Sequence, residues 1–565
     1  NLMRQEVINR GLIEPAQLRN VIIAGNDFIH GRSRPIKYRA RVTSSPECLE
    51  SLTLTAVLNG LKFPNLVDLM DVLPIELVYK LNREMYEMRV LDVLSNLWCN
   101  STVFYKLLFY KSKRIELHKM YEEVKNSVNV SVAGRLIRDA KRQGACFGLR
   151  NRGDQKQLKN LYDSVLELGN FFLECLIYSW AGEAFQLCKH LLSKLTLSPD
   201  LQKREEDRLM YYLLVYYTNS CDFEKAKKVS LYFDEAFAEA RKMDFKVEDD
   251  VDYGQVLIQC AVLWQQMGFY QKSMSYVVDA LKTVAYRRTP LRTMMSIFRL
   301  SAKILMCVRQ LDLGLRLIKH AVHTAFFSHD FYRRYPHVLL DYAFCLVNLD
   351  YVKQAVLVYA DAMEFLEDIF GSSSVCLSQA YEDMAYALYV LEYSTGNFSE
   401  ACDYAEKAVS LNKLFLPKNH MLIATSRRMK ALIMEEQALS EESASKRLEM
   451  LEEALHLHTE ALMYYQERFG DENIFTAKNY GNLGRLYQSL QDFKKSEEMH
   501  LKAIAIKKRV VGENDYETAL SLGHLAALYT NDMGRHGEAK DLYLKSIEIV
   551  IKIFGDSFTG LQYYY

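Results

Sequence analysis

Proline is scarce in this chain, with 9 among 565 residues, while half the residues are apolar. That combination excludes a disordered polypeptide and favours an uninterrupted, packed, all-helical protein. Net charge is missing as well. The 71 Lys and Arg are balanced by 71 Asp and Glu, so bulk electrostatics recommend neither nucleic acid nor an anionic membrane. The 11 cysteines are scattered from Cys48 to Cys402 without a Cys-x-x-Cys pair. Odd in number and dispersed, they read as reduced core thiols of an intracellular protein. No apolar run reaches the length of a membrane span; Tyr211–Tyr217 is far too short. The first residue is Asn1, which leaves a targeting segment ahead of it open.

Catalytic signatures are also lacking. There is no Gly-x-x-x-x-Gly-Lys-Ser/Thr, no Gly-x-Gly-x-x-Gly after a strand, no His-Glu-x-x-His and no Gly-x-Ser-x-Gly. His320 and His323 lie one helical turn apart without a second pair of ligands at metal spacing, and His320 falls on a packing register beside Ala321. The many tyrosines sit at repeat positions, not on a base-stacking platform. The expectation is a binder, not an enzyme, with no cofactor and no metal.

What is present is repetition. Gly470-Asp-Glu-Asn, Thr476-Ala477, Leu483-Gly484 and Tyr487 recur as Gly512-Glu-Asn-Asp, Thr518-Ala519, Leu525-Ala526 and Tyr529. Ser496, His500 and Ala503-Ile504 then recur as Ala539, Tyr543 and Ser546-Ile547. Self-similarity at such a period marks stacked helix pairs, none of which can bury its apolar face alone. Leu483, Gly484 and Tyr487 share one helical stripe; Ser496, His500 and Ala503 form the facing one, with small residues where the helices cross. The pattern resembles the tetratricopeptide repeat in the lengthened form of kinesin light chains. A further row would begin at Gly555, so a capping helix from the continuing chain or a partner is expected past Tyr565.

Taken in order, residues 1–45 form a basic, poorly ordered tail, with Arg32, Arg34, Lys37, Arg39 and Arg41 crowded around Gly31 and Pro35. Residues 46–123 are helical without repeats. Residues 124–159 read as a basic, loop-like insertion broken by Gly134, Gly144, Gly148 and Gly153. Residues 160–565 form the solenoid, about nine helix pairs. A small residue recurs in the second helix of the pairs: Ala184, Ala226, Ser273, Ala355, Ala401, Ser496 and Ala539. The fold class is all-α, a right-handed superhelical solenoid preceded by a helical docking region.

A superhelix of helix pairs lines its concave face with the first helix of each pair. Polar residues on that face are the peptide-binding candidates: Asp341, Glu382 and Asp383 supply carboxylates, Arg427, Arg428, Lys430, Lys478 and Arg485 supply cations, and Asn482 and His524 stand in register with them. This polarity suits an extended peptide with a basic residue at one end and a carboxylate at the other.

Two short patterns precede the solenoid. Leu52 and Ala56 lie four apart on one helical face, and in Leu73-Pro74-x-x-Leu77-x-x-x-Leu81 the proline opens a helix whose stripe carries Leu77 and Leu81. Further on, Lys478-Asn-Tyr-Gly-Asn-Leu-Gly-Arg-Leu-Tyr, Glu498-Met-His-x-Lys-Ala503-Ile504, Glu382-Asp-x-Ala-Tyr386 and Lys430-Ala-Leu-Ile433 closely resemble the amyloid protein-binding protein 2 family. The resemblance covers roughly residues 50–565. It implies a non-catalytic substrate receptor of a cullin-2–RING ubiquitin ligase that recognises C-terminal degron peptides. It further implies an elongin-binding box at Leu52 and Ala56, with Ala56 where that box usually has Cys, and a cullin-2 box at Leu73, Pro74, Leu77 and Leu81. The alternative it offers is a microtubule- or kinesin-linked adaptor for sorting tails such as that of the amyloid precursor. The implied location is cytoplasmic, with nuclear and microtubule- or membrane-associated pools, without nucleic-acid binding or membrane insertion.

Overall fold

The computed structural model describes residues 63–128, 131–146, 152–242, 252–286, 289–326, 331–372, 374–392 and 396–555. Leu52 and Ala56, and the expected tail 1–45, lie outside the described residues. The chain separates into two compact units, with the main break between Gln259 and Cys260.

The first unit opens with α1 (Phe63–Val72), α2 (Ile75–Glu87), α3 (Leu91–Trp98), α4 (Ser101–Phe109), α5 (Arg114–Ser127) and α6 (Val132–Cys146). Two helix pairs follow: α7 (Arg152–Glu174) with α8 (Tyr178–Lys194), and α9 (Pro199–Asn219) with α10 (Phe223–Ala236) and the short α11 (Ala238–Lys242). One continuous core runs from Leu66 to Leu213, with Trp98, Phe104, Tyr121 and Phe171 packed ring to ring. Inside it Asn82 is satisfied, donating to the Val78 carbonyl at 2.7 Å and accepting from Trp98 Nε1 at 2.7 Å. The segment 124–159, expected to be a loop, contains α6. Gly134 and Gly144 lie within α6 and do not break it. Gly134 sits against the Trp180 ring and Gly144 against Leu191, where a Cβ would come within 3.0 Å and 2.9 Å, so they are close-approach residues. α7, α8 and α9 share this core with α1–α6, across the expected boundary near residue 160.

The second unit continues the pairing. α12 (Tyr253–Gln266), which spans the break, leads into α13 (Tyr270–Tyr286). Then come α14 (Leu291–Cys307) with α15 (Leu311–Phe326), α16 (Phe331–Asn348) with α17 (Val352–Phe370), and α18 (Val375–Glu392) with α19 (Ser399–Phe415). The last three pairs are α20 (Met421–Ser440) with α21 (Ala444–Phe469), α22 (Ile474–Ser489) with α23 (Phe493–Val510), and α24 (Tyr516–Asn531) with α25 (His536–Phe554).

The turn inside a pair is stereotyped. A left-handed residue stands there in Leu176, Cys221, Gly268, Arg309, Asp350, Gly396, Gln491 and Gly534. In most of them the next N–H reaches back five residues, as in Asp492 N to Tyr487 O at 2.9 Å or Gln310 N to Leu305 O at 2.9 Å. This C-cap closes one helix and reverses the chain into the next. An aspartate then caps α10 and α23: Asp222 accepts from Lys225 N and Asp492 from Lys495 N.

The recurring small residues sit where expected. Ala184, Ala226, Ser273, Ala355, Ala401 and Ser496 have no exposed surface, and Ala539 has 2%. Ser496 Oγ donates to Gly484 O at 2.7 Å and Ser273 Oγ to Ala261 O at 2.7 Å, so the serine also ties the crossing together. Gly484 lies against the His500 ring, whose atoms a Cβ would meet at 2.7 to 2.8 Å.

Candidate ligand-binding face of the second unit

Successive first helices pack directly on one another, α14 on α16, α16 on α18, α18 on α20, α20 on α22 and α22 on α24. Their shared face is therefore the crowded inner one, and polar side chains there are partly desolvated. It runs from an acidic to a mixed end.

At the acidic end Asp341 on α16 is buried and held by two cations of α14, Arg299 Nη1 and Lys303 Nζ, the latter at 3.3 Å. Burial works against its charge, but these cations win and hold the carboxyl below its usual range. Glu382 and Asp383 on α18 are different. Glu382 accepts from Thr425 Oγ1 at 3.1 Å. Asp383 faces Lys303 at longer range and has no ion pair among the described residues. Burial first, then the neighbouring Asp383 carboxylate, pushes Glu382 up to about 7, while burial, opposed by Lys303 and helped by Asp341, pushes Asp383 up to about 6. Neither carboxylate makes a direct ion pair among the described residues; Arg428 and Lys303 act on them at longer range.

Arg428 on α20 faces Glu382 and the buried His458. Arg427 and Lys430 do not share its direction. Arg427 pairs with Glu460 at 3.2 Å, and Lys430 bridges Glu406 at 2.7 Å and Glu453 at 3.1 Å. Positions 428 and 430 are about 200° apart on a helix, so both cannot face one groove.

On α22, Arg485 is engaged by Glu435 at 3.2 Å and Glu436 at 2.7 Å. Burial outweighs the arginine at Glu435 and carries that carboxyl up to about 7, with Glu436 adding to the shift. Lys478 pairs with Glu517 Oε1 at 2.8 Å. Glu517 also meets Lys507 at 3.3 Å and Arg309 at 3.8 Å. Against burial, these three cations hold its carboxyl well below the usual range. The Asn482 side-chain nitrogen is buried without a partner. His524 is half-buried beside His500 (ring centroids 6.1 Å), and burial followed by the nearby Arg485 keeps it neutral.

The unit also closes on itself. Asn473 Nδ2 donates to the Met267 carbonyl at 2.7 Å across 206 residues of sequence, beside Gly268. Arg309 lies over the Tyr516 ring at 4.7 Å. Sequence periodicity missed Arg309, Glu435, Glu436 and Glu517 as parts of this face. Arg299 was within reach of it, since it stands 42 residues before Asp341, one repeat earlier in the same register.

In the first unit the docking candidates separate. Leu81 is 2% exposed in the core and Leu73 packs against that core, whereas Leu77 is 37% exposed and Pro74 is exposed. Val72, Met88, Val90, Val93 and Phe109 are exposed apolar residues of the same unit. No helix among the described residues is long and apolar enough to cross a membrane.

The tetratricopeptide repeat family matches residues 443–509 and 486–552. The chain is 33% identical to amyloid protein-binding protein 2 of Rattus norvegicus and of Mus musculus over 458 residues, 79% of this chain and 74% of theirs. Among solved structures, a Rap protein complexed with competence and sporulation factor superposes with a TM-score of 0.51 at 11% identity, covering 71% of this chain and 99% of that one. That likeness supports the helix-pair fold alone.

Proposed function

We propose, from the premise that this chain belongs to the amyloid protein-binding protein 2 family, that it serves as the substrate-recognition subunit of a cullin-RING ubiquitin ligase. The chain is a tetratricopeptide protein-interaction adaptor. In the finer reading its inner face takes the C-terminal segment of a substrate, while the first unit docks to elongin B/C and cullin-2. It brings substrates to a conjugating machine in the cytoplasm and performs no chemistry of its own.

The observation that carries the peptide half is the uneven neutralisation of the inner face. Glu382 and Asp383 make no ion pair among the described residues, Arg428 and Lys303 acting on them only at longer range, so a ligand guanidinium there offsets the burial and repulsion the free protein has to bear. Further along α22, Lys478 and Asn482 offer donors one turn apart. The docking half is supported by the exposure of Pro74 and Leu77 at the start of α2. A transport adaptor leaves those residues without a task.

The test is affinity purification of the full chain followed by mass spectrometry, with Leu77→Asp alongside. Elongins and a cullin should co-purify with the parent and be lost from the variant, at an unchanged melting temperature. Recovery of motor subunits without any cullin refutes the ligase reading. In the same assay Asp383→Lys should lose ligands that carry an arginine upstream of their C-terminus.

A further inference from the structure

Three cations converge on the Glu517 carboxylate, and they are not equally occupied. Lys507 is 4% exposed and its three N–H groups are used: on the Glu517 carbonyl at 3.1 Å, the Glu517 carboxylate at 3.3 Å and Ser521 Oγ at 2.9 Å. Lys478 is 32% exposed, and among the described residues it bonds only Glu517. Arg309 gives one nitrogen to Asn348 Oδ1 at 3.3 Å and points another at Glu517 from 3.8 Å. Among the described residues the other carboxylate at this group is Asp515, which burial pushes upward and which already caps α24 by accepting from Glu517 N at 2.8 Å. Three positive charges thus face two negative ones.

Arg485 presents the opposite balance. A single guanidinium is held between two carboxylates, Glu435 and Glu436. An anion brought there meets net negative charge, so Arg485 is badly placed to receive one even though it lies one turn from Lys478's neighbour Asn482. The second independent observation is Asn482 itself. It follows Lys478 by one turn on α22, and its buried side-chain N–H group has no acceptor. A buried donor left empty is unfavourable by itself, and a peptide carbonyl would fill it.

We propose that the terminal carboxylate of a ligand peptide is received by Lys478 and Arg309, with Asn482 holding the adjoining peptide group, and that Arg485 is a positioning residue that holds Glu435 and Glu436. This assignment rests on the terminal-peptide reading of the inner face and names the subsite within it. It makes the site composite: Arg309 follows α14, while Lys478 and Asn482 come from α22, and the two meet because the unit closes through Asn473 and Met267. Charge-assisted bonds to a carboxylate from a guanidinium and an ammonium are short, and removal of one donor leaves the other facing an under-compensated anion.

The experiment uses the full chain, immobilised, and two pools of random octapeptides that differ only in a free-acid or amidated C-terminus. Captured peptides are counted by mass spectrometry. The parent should favour the acid pool. Arg309→Ala and Lys478→Met should each lower the acid-to-amide ratio by about tenfold or more. Lys478→Arg and Arg485→Lys should keep it, which separates loss of a donor from loss of fold. A parent that prefers the acid pool while Arg309→Ala and Lys478→Met retain that preference overturns the subsite and spares the reading beneath it. A parent that takes both pools equally overturns both.

Discussion

The crossing of α22 and α23 allows a sharp test of how this solenoid is packed. Gly484 has no side chain where the His500 ring lies, and a methyl group there would sit 2.7 to 2.8 Å from three ring atoms. His500 is fully buried, so the ring has no solvent to swing into. Two terms compete in Gly484→Ala. Helix propensity favours alanine by about 1 kcal/mol. Overpacking opposes it by about 1–3 kcal/mol. The net expectation is destabilisation of about 0–2 kcal/mol, centred on this crossing. The Ser496 to Gly484 hydrogen bond is stretched in the same movement, which pushes the estimate toward the upper end. Because interfaces lie mainly between neighbouring pairs, apart from the closure contacts at Met267 and Arg309, the loss should appear in hydrogen exchange of α22–α25 and leave α16 and α17 protected. His500→Ala removes the obstacle, so the two substitutions should couple by about 1 kcal/mol or more in a double-mutant cycle. A Gly484→Ala protein stabilised by the full propensity term refutes the crowded crossing, and a uniform loss of protection refutes the modular stack.

Other consequences follow from single residues. Glu382 holds its proton up to about 7 in the fold but releases it near pH 4 when unfolded, so its contribution to stability falls as pH rises through that window. Glu382→Gln should therefore raise the urea midpoint at about pH 7.5 and leave it unchanged near about pH 4. In the first unit, Leu81→Ala empties a core position and should cost about 2–5 kcal/mol, while Leu77→Ala at an exposed position should stay within about 0.5 kcal/mol, both read by denaturation. Asn473→Ala removes the bond to Met267 and the cap on Phe475 N together. Amides at the start of α22 and of the α12–α13 turn should then lose protection in step, by about 1–2 kcal/mol.

Much of the fold was legible because it is written periodically. The small residues of the crossings repeat, and a repeated Ser or Ala at a fixed helical phase has one physical use, close approach. Gly134 and Gly144 carried the same meaning but occur once each, so without a period they read as helix breakers. The inner face was legible only in part. Register located Asp383, Lys478 and Asn482, but two residues of helix turn a side chain to the far face, which separates Lys430 from Arg428. Register is also silent on closure: nothing local to Arg309 announces that it will lie over Tyr516.

That same residue carries a conflict between folding and recognition. Arg309 occupies a left-handed backbone position, φ 60°, as do Leu176, Cys221, Asp350 and Gln491 in other turns. Such a conformation costs a residue with a Cβ about 1–2 kcal/mol, and glycine would relieve it. At Leu176, Cys221, Asp350 and Gln491, drift toward glycine meets no opposition from the ligand face. At position 309 it would strip away the guanidinium. The turn is thus a place where selection for stability and selection for a ligand pull in opposite directions, and an arginine retained there across relatives would mark which of the two prevails.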